Sequence, residues 1–72
     1  PMKIYKLEGR GHYSGGLAVV IAPNAERAAE MANKRSSSVW HVNYKASEAK
    51  ELTALKPNVE EETVVAHYEM GE

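Results

Sequence analysis

The chain has 72 residues, a formal net charge of -1 and no cysteine. That length is enough for one compact core and too short for two, so residues 1–72 are expected to form a single domain. The lack of cysteine excludes disulfides, thiolate chemistry and the usual zinc-finger ligands, and it fits a reducing, cytoplasmic location. The near-neutral charge argues against a nucleic-acid binder that works mainly by neutralising phosphates.

The sequence gives no sign of membrane association. No run of residues has the length of a membrane span, and the start lacks the basic-then-apolar pattern of a signal peptide. Pro1 precedes Met2, which suggests that Met2 is the natural first residue and that Pro1 remains from a cleaved purification tag. A domain this small hides only roughly 60% of the surface of its unfolded chain, so a homodimer or a bound partner would add stability.

The first third of the chain predicts two strands joined by a glycine-rich loop. Residues 3–8 (KIYKLE) favour a strand, and their lysines are typical of a sheet edge. Residues 9–16 (GRGHYSGG) contain four glycines, which favours a flexible hairpin loop because glycine loses the most backbone entropy in regular structure. Residues 17–22 (LAVVIA) are apolar on both faces, which is typical of a strand that is covered on both sides or lies centrally in the sheet, and we place it in the middle.

A helix is predicted after the second strand. Pro23 ends that strand, and Asn24 is placed to cap the helix through its side-chain oxygen. Glu26 near the start, with basic residues near the end, matches the helix dipole. Four alanines share one face at helical spacing and would let the helix lie close to the sheet, namely Ala25, Ala28, Ala29 and Ala32.

Alternation of apolar and polar residues predicts two more strands, over residues 40–45 and 63–70. A polar break of three serines precedes the first of them. Because the chain contains no Phe to fill the core, the aromatic residues at the apolar positions of these strands are expected to face it. These are Trp40, Tyr44 and Tyr68.

Residues 46–55 allow two interpretations. Their Ala, Glu, Lys and Leu content favours a short second helix, which Ser47 would cap. Its inward side chains would be Ala49, Leu52 and Leu55. The same residues could continue the preceding strand through a bulge and form one long hairpin with the last strand. We favour this hairpin because a sheet edge needs cover. Residues 56–62, with three consecutive glutamates, predict a solvated loop.

These elements predict an α+β fold in the order strand, strand, helix, strand, strand. Sequential hairpins favour a four-stranded antiparallel sheet with the helix packed on one face. The short second helix over residues 46–55 would be an addition to this plan.

The glycine-rich loop is the first candidate for a binding site. Its glycines do not follow the GxGxxG spacing of a phosphate-binding loop, and a strand follows it where a helix would be required. Arg10, His12 and Tyr13 nevertheless give the loop a cation, an imidazole and an aromatic ring. These three are the predicted binding residues.

The sequence offers little support for catalysis or metal binding. The chain contains no Asp, which excludes a Ser-His-Asp triad around Ser14. His12, His41 and His67 have no local metal-ligand spacing, and the last two are instead expected to be exposed or to pair across strands. We therefore predict no catalytic residue, no bound metal and no cofactor, and we do not expect an enzyme.

The loop GRGHYSGG and the run AVVIAPNAERAAEMANK, in this order of elements, resemble small proteins of bacteriophages and mobile elements. That class includes anti-CRISPR proteins and other inhibitors of bacterial defence, which act mostly by occupying a surface of a host complex. The resemblance implies a non-catalytic binding protein, and more specifically a phage-type inhibitor that docks on a host defence protein complex. It transfers no individual site residue.

Two other functions fit parts of the chain. An oligomer that sequesters a signalling nucleotide would use Arg10, His12 and Tyr13 to contact phosphate and base. Pro1, together with LEGR at residues 7–10, resembles the start of the small tautomerases. That resemblance implies Pro1 as the catalytic base and Arg10 near the substrate carboxylate. The resemblance does not extend beyond residue 10, because that family continues into a helix where this chain has the glycine loop and an apolar strand.

Overall fold

The structure, a computed structural model, describes residues 1–36 and 39–71. Over these residues the chain forms a four-stranded antiparallel sheet with one α-helix packed on one face, which confirms the predicted α+β fold. The order across the sheet is β3-β1-β2-β4. A helix with the length and apolar character needed to span a bilayer is absent from this part of the chain. The elements are β1 (Lys3–Arg10), β2 (Ser14–Ala22), α1 (Ala25–Arg35), β3 (Lys50–Glu51) and β4 (Thr63–Gly71).

Helix α1 forms where its capping signals predict. The side-chain oxygen of Asn24 accepts a hydrogen bond from the backbone N–H of Arg27 at 2.8 Å. Glu26 lies in the first turn and basic residues lie in the last, as the helix dipole favours. Ser36 ends the helix, and the other two serines of the predicted polar break lie outside the described residues. The helix buries three of the predicted alanines, Ala28, Ala29 and Ala32.

The core lies between α1 and the face of the sheet that the helix covers, here called the inner face. Tyr44, Leu7 and Val20 are its largest fully buried side chains. Half of the core cluster is alanine, so little apolar volume is enclosed for a chain of this length. The cluster consists of Tyr5, Leu7, Ala18, Val20, Ala22, Ala28, Ala29, Ala32, Val42 and Tyr44.

The hairpin between β1 and β2 turns more tightly than the sequence predicts. Both strands extend toward the turn, so the loop shrinks from residues 9–16 to residues 11–13. Gly9 and Gly16 face each other within the ladder. A Cβ atom on either glycine would overlap the side chain of Tyr44. These two glycines therefore make room for a large core residue and do not serve the turn.

The strand predicted over residues 40–45 is wrong. His41 has a positive φ of 53°, which interrupts the extended backbone, and Asn43 makes a single bridge to the end of β1. The side chain of Asn33, on α1, binds both backbone groups of Tyr44. Its oxygen accepts from the Tyr44 N–H at 2.8 Å, and its nitrogen donates to the Tyr44 carbonyl at 2.9 Å. Because the Tyr44 N–H is already bound to the helix, it cannot also donate to a ladder.

The segment 46–55 takes neither predicted form in full. It contains a single 3-10 turn over Ala46–Glu48, which is followed by β3. β3 pairs with β1 and not with the last strand, so the favoured long hairpin is wrong. Leu55 does not point inward either, since it is 57% exposed. This pairing places β1 inside the sheet, although its lysines had indicated an edge.

β4 forms as predicted and lies at the edge of the sheet beside β2. The register with β2 shifts between Val64 and Ala66, so Val65 is an extra residue that makes a β-bulge. Because of this extra residue, the side chains that follow it lie on the opposite face of the sheet from the one that the sequence alternation predicts. Tyr68 is 61% exposed on the outer face, and His67 is half-buried on the inner one. The predicted core position of Tyr68 is wrong for this reason. His67 was predicted to be exposed or to pair across strands, and of these two the exposed position is wrong.

The outer face of the sheet carries no helix among the described residues. β2 lies in the middle of the sheet, as predicted, and on its outer face Leu17 is 42% exposed whereas Ile21 is buried. The register of the strands places on this outer face Lys6, Glu8 and Arg10 from β1, Leu17 and Val19 from β2, and Ala66, Tyr68 and Met70 from β4.

Candidate binding surface

A shallow cavity of about 340 Å³ lies at the end of the sheet where β1 turns into β2. The β1–β2 loop supplies one wall, and the segment that follows α1 supplies the other. We call its lining residues the loop-end cluster, and they are His12, Tyr13, Ser14, Val39, Trp40 and His41. The cluster joins parts of the chain that are far apart in sequence.

Trp40 is fixed in place by two contacts with neighbouring strands. Its indole ring lies against Gly71 at the end of β4, in the space that a Cβ atom on Gly71 would occupy. The hydroxyl of Ser14 donates a hydrogen bond to its backbone carbonyl. Trp40 is still 39% exposed, so the predicted core position is wrong. One side of the ring rests on backbone, and the side chain remains accessible at the surface.

The structure places all three predicted binding residues at this end of the sheet. The rings of His12 and Tyr13 pack edge to face with their centroids 4.7 Å apart, and Tyr13 is 71% exposed. Arg10 is exposed at the end of β1 and is not among the residues that line the cavity. Its backbone N–H and carbonyl are both bonded to Asn43, at 3.1 and 3.0 Å. This bridge holds the hairpin against the segment that carries Trp40.

Four residues of the loop-end cluster are not among the predicted binding residues, namely Ser14, Val39, Trp40 and His41. Trp40 was expected in the core and His41 in a strand, because an alternating pattern was assigned to their segment. The serines that precede them and the glycine that ends β4 are compatible with an exposed aromatic residue. No local pattern, however, indicates that a tryptophan packs on a glycine from the far end of the chain.

A second group of polar side chains lies on the inner face, around Glu69. The side chain of Glu69 is only 3% exposed. It accepts a hydrogen bond from the hydroxyl of Tyr44 at 3.2 Å, and it lies 2.9 Å from Nε2 of His67. Burial, followed by the negative charge of Glu69, raises the pKa of Tyr44. The phenol therefore stays protonated and continues to donate its hydrogen bond.

This inner group does not contribute to the loop-end cavity, whose lining contains neither Tyr44, His67 nor Glu69. A carboxylate held between a phenol and an imidazole could pass a proton, but only to a molecule that reached it. The three side chains instead satisfy one another within a packed layer. We assign them a structural role.

The arrangement implied by the tautomerase resemblance is not formed within the chain. Pro1 precedes β1, and Arg10 is the last residue of that eight-residue strand. At about 3.3 Å per residue, the strand spans about 23 Å from Lys3 to Arg10, and Pro1 lies near its Lys3 end. One substrate molecule of small size could not contact both.

His12 and His41 line the same cavity, whereas His67 lies on the inner face. Among residues 1–36 and 39–71, no group of three His, Asp or Glu side chains is placed to hold a metal ion.

Comparison of the chain with protein-family models, with curated protein sequences and with solved structures gives no match in any of the three.

Proposed function

We propose that the protein is a non-catalytic binding protein that docks on another protein through the loop-end cluster. The observation that supports this most strongly is the fixed position of Trp40, which packs on Gly71 and is bonded to Ser14 while part of it stays exposed. Trp, Tyr and Arg are the residues most enriched at energetic hot spots of protein interfaces. A side chain that is already held in place loses little conformational entropy on binding.

The charge around the cluster indicates the chemistry of the partner. The lining residues include two histidines and no carboxylate, and Arg10 lies beside them at the end of β1. A matching surface would offer an apolar pocket for the aromatic rings, with acidic or carbonyl oxygens at its rim. Tyr13, at 71% exposure, is the side chain with the most surface to lose in such a contact.

The narrower form of the proposal is a phage-type inhibitor whose partner is a host defence protein complex. It rests on the resemblance of the glycine loop and the strand-cap-helix run to small phage proteins. A function of this kind would place the protein in the cytoplasm of the host, and it requires no catalytic residue.

The test is capture of bacterial lysate proteins on the immobilised chain, followed by affinity measurements with the purified captured protein. We expect Tyr13→Ala and Trp40→Ala each to weaken binding by about tenfold or more, the loss typical of a hot-spot side chain. Leu55→Ala is the control, because Leu55 is also well exposed but lies near the start of β1, at the opposite end of the molecule. Circular dichroism of each variant would verify the fold.

Tyr13→Ala is the more direct of the two variants, since this exposed side chain can be removed without affecting the core. Unchanged affinity in both cluster variants would exclude the loop-end cluster as the docking surface. A captured component of a defence complex would support the narrower form, and a captured protein of another class would contradict it.

A second function is favoured by the size and lining of the cavity. About 340 Å³ between aromatic rings is within the range of small-ligand pockets, and a nucleotide base could stack there while Arg10 and His12 contact its phosphates. Thermal unfolding in the presence of a cyclic dinucleotide would test this. A rise in Tm that is lost in Tyr13→Ala would support nucleotide sequestration, and an unchanged Tm would contradict it for this ligand.

A further inference from the structure

The two edges of the sheet differ in how they are protected. β3 forms one edge with only two residues, and Glu51 on this strand lies 3.9 Å from the ammonium of Lys3. β4 forms the other edge with nine residues, and no described strand lies beyond it. Its sequence, TVVAHYEMG, contains neither the lysine nor the proline with which proteins commonly block exposed edges. A long edge of this kind is suited to pair with another strand.

We propose that β4 pairs antiparallel with β4 of a second copy of the chain, so that the two sheets join into one. An antiparallel pair of identical strands has two-fold symmetry, the commonest symmetry of protein dimers. The bulge at Val65 confines regular pairing to residues 66–71. A two-fold axis at Tyr68 lies near the middle of this segment. It pairs Ala66 with Met70 of the partner subunit.

This register also matches the side chains on both faces. On the inner face, His67 lies opposite position 69 of the partner subunit, and each Glu69 carboxylate stays bound to Tyr44 and His67 of its own chain. On the outer face, Tyr68 packs against Tyr68 of the partner subunit. A two-fold axis at His67 would instead place two imidazoles opposite each other and would bring Glu69 against the bulge. The axis at Tyr68 keeps the two imidazoles apart and keeps Glu69 clear of the bulge, and it is favoured for these reasons.

The exposed surface of the chain is consistent with a missing partner. Folded monomers of this mass expose about 4400 Å². This chain exposes 4971 Å² and is elongated, with extents of 36 × 17 × 16 Å. Tyr68 and Met70 on β4, together with Leu17 beside them, contribute to the excess at 61%, 57% and 42% exposure. The excess is below the roughly 800 Å² that each partner buries in a standard interface, which predicts a reversible dimer.

Sedimentation equilibrium over a range of protein concentrations tests the proposal, and we expect a monomer–dimer equilibrium. Tyr68→Lys places two positive charges opposite each other at the two-fold axis and should give a monomer. Leu17→Lys is the matched control, because Leu17 is the β2 neighbour of Tyr68 on the same outer face but lies away from the edge. It should leave the dimer intact. A monomeric wild type, or a dimer that only Leu17→Lys dissociates, would overturn the edge pairing.

Mixing Tyr68→Lys with Tyr68→Glu chains verifies that the first variant is folded, because opposite charges at the axis should restore a mixed dimer. Cross-linking then fixes the register. The chain has no cysteine, so Tyr68→Cys introduces one thiol per chain. Paired strands bring opposite Cα atoms to about 4.5–5.5 Å, within reach of a disulfide, whereas sheets packed face to face lie about 10 Å apart.

Oxidation of Tyr68→Cys should therefore give a disulfide-linked dimer in high yield, and oxidation of Leu17→Cys should not. The absence of a cross-link in Tyr68→Cys, or equal cross-linking of the two variants, would contradict the register. Neither experiment involves Tyr13 or Trp40. A failure of the proposed dimer is thus distinguishable from a failure of the proposed docking surface.

Discussion

Gly15 and Gly16 are neighbours in β2, yet the structure makes different demands on them. A Cβ atom on Gly16 would overlap the hydroxyl of Tyr44 and would lie 3.0 Å from Cγ of Glu69. A Cβ atom on Gly15 points to the outer face, where the nearest atom is the carbonyl oxygen of Gly9 at 3.8 Å. The lack of a side chain at Gly16 leaves room for the buried side chains of Tyr44 and Glu69. Gly15, in contrast, has room for a methyl group.

Gly16→Ala should therefore destabilise the protein, because the methyl group displaces the Tyr44 ring or breaks its bond to Glu69. We expect a loss of about 1–3 kcal/mol in the free energy of unfolding, typical of overpacking in a core. Gly15→Ala should change stability by less than about 1 kcal/mol, and a gain is the expected direction because alanine restricts the unfolded chain. Urea unfolding of both variants measures the difference, and equal stabilities would contradict the assigned role of Gly16.

At the scale of elements, α1 organises the segments that follow it. Asn33 binds the backbone of Tyr44, and Arg27 reaches the loop before β4, where its Nε donates to Glu62 at 2.8 Å. Arg27 also forms an ion pair with Glu30 one turn further along the helix. Two connections without regular structure are thus tied to the helix.

The bond between Arg27 and Glu62 predicts a stability that depends on acid pH. Hydrogen bonding to Arg27 lowers the pKa of Glu62 below its usual value. The folded state therefore binds this proton less readily than the unfolded state. The stabilisation is present above the unfolded pKa of about 4.3 and is lost as the pH falls through the lower folded value.

Glu62→Gln should lower the urea midpoint at neutral pH and should have little effect once the wild-type carboxylate is protonated. Glu61→Gln is the matched control, because Glu61 is exposed in the same loop. It should leave the midpoint nearly unchanged at both pH values. A difference between wild type and Glu62→Gln that persists at low pH would show that the ion pair is not its source.

Sequence signals within a segment predict those elements that are stabilised by contacts within the same segment. The cap at Asn24, the charges at the helix ends and the spacing of the alanines lie within α1, and the helix forms as they indicate. The bulge at Val65 changes the outcome for β4, since one extra residue reverses the faces of all later side chains. Alternation in the sequence reveals a period but not such an insertion. Tyr68 was misplaced for that reason.

The candidate site also combines residues whose position follows from the local sequence with one whose position depends on the tertiary fold. Arg10, His12 and Tyr13 are close in sequence, and their position on one loop was predictable from the glycines around them. Trp40 joins them only because the chain returns through β4 and presents Gly71 beneath its ring. That contact depends on the tertiary fold. It could not be inferred from the residues around Trp40, which themselves suggested a strand.

At the scale of the whole molecule, a core that is half alanine and a long edge strand without lysine or proline lead to one expectation. If two chains pair through β4, folding is coupled to association, and the Tm should rise with protein concentration. A gain of roughly 1 kcal/mol per chain would raise the Tm of a domain this small by about 4–8 °C. The dependence should persist in Leu17→Lys and vanish in Tyr68→Lys. A wild-type Tm that is independent of concentration would mean that the thin core sustains the fold alone.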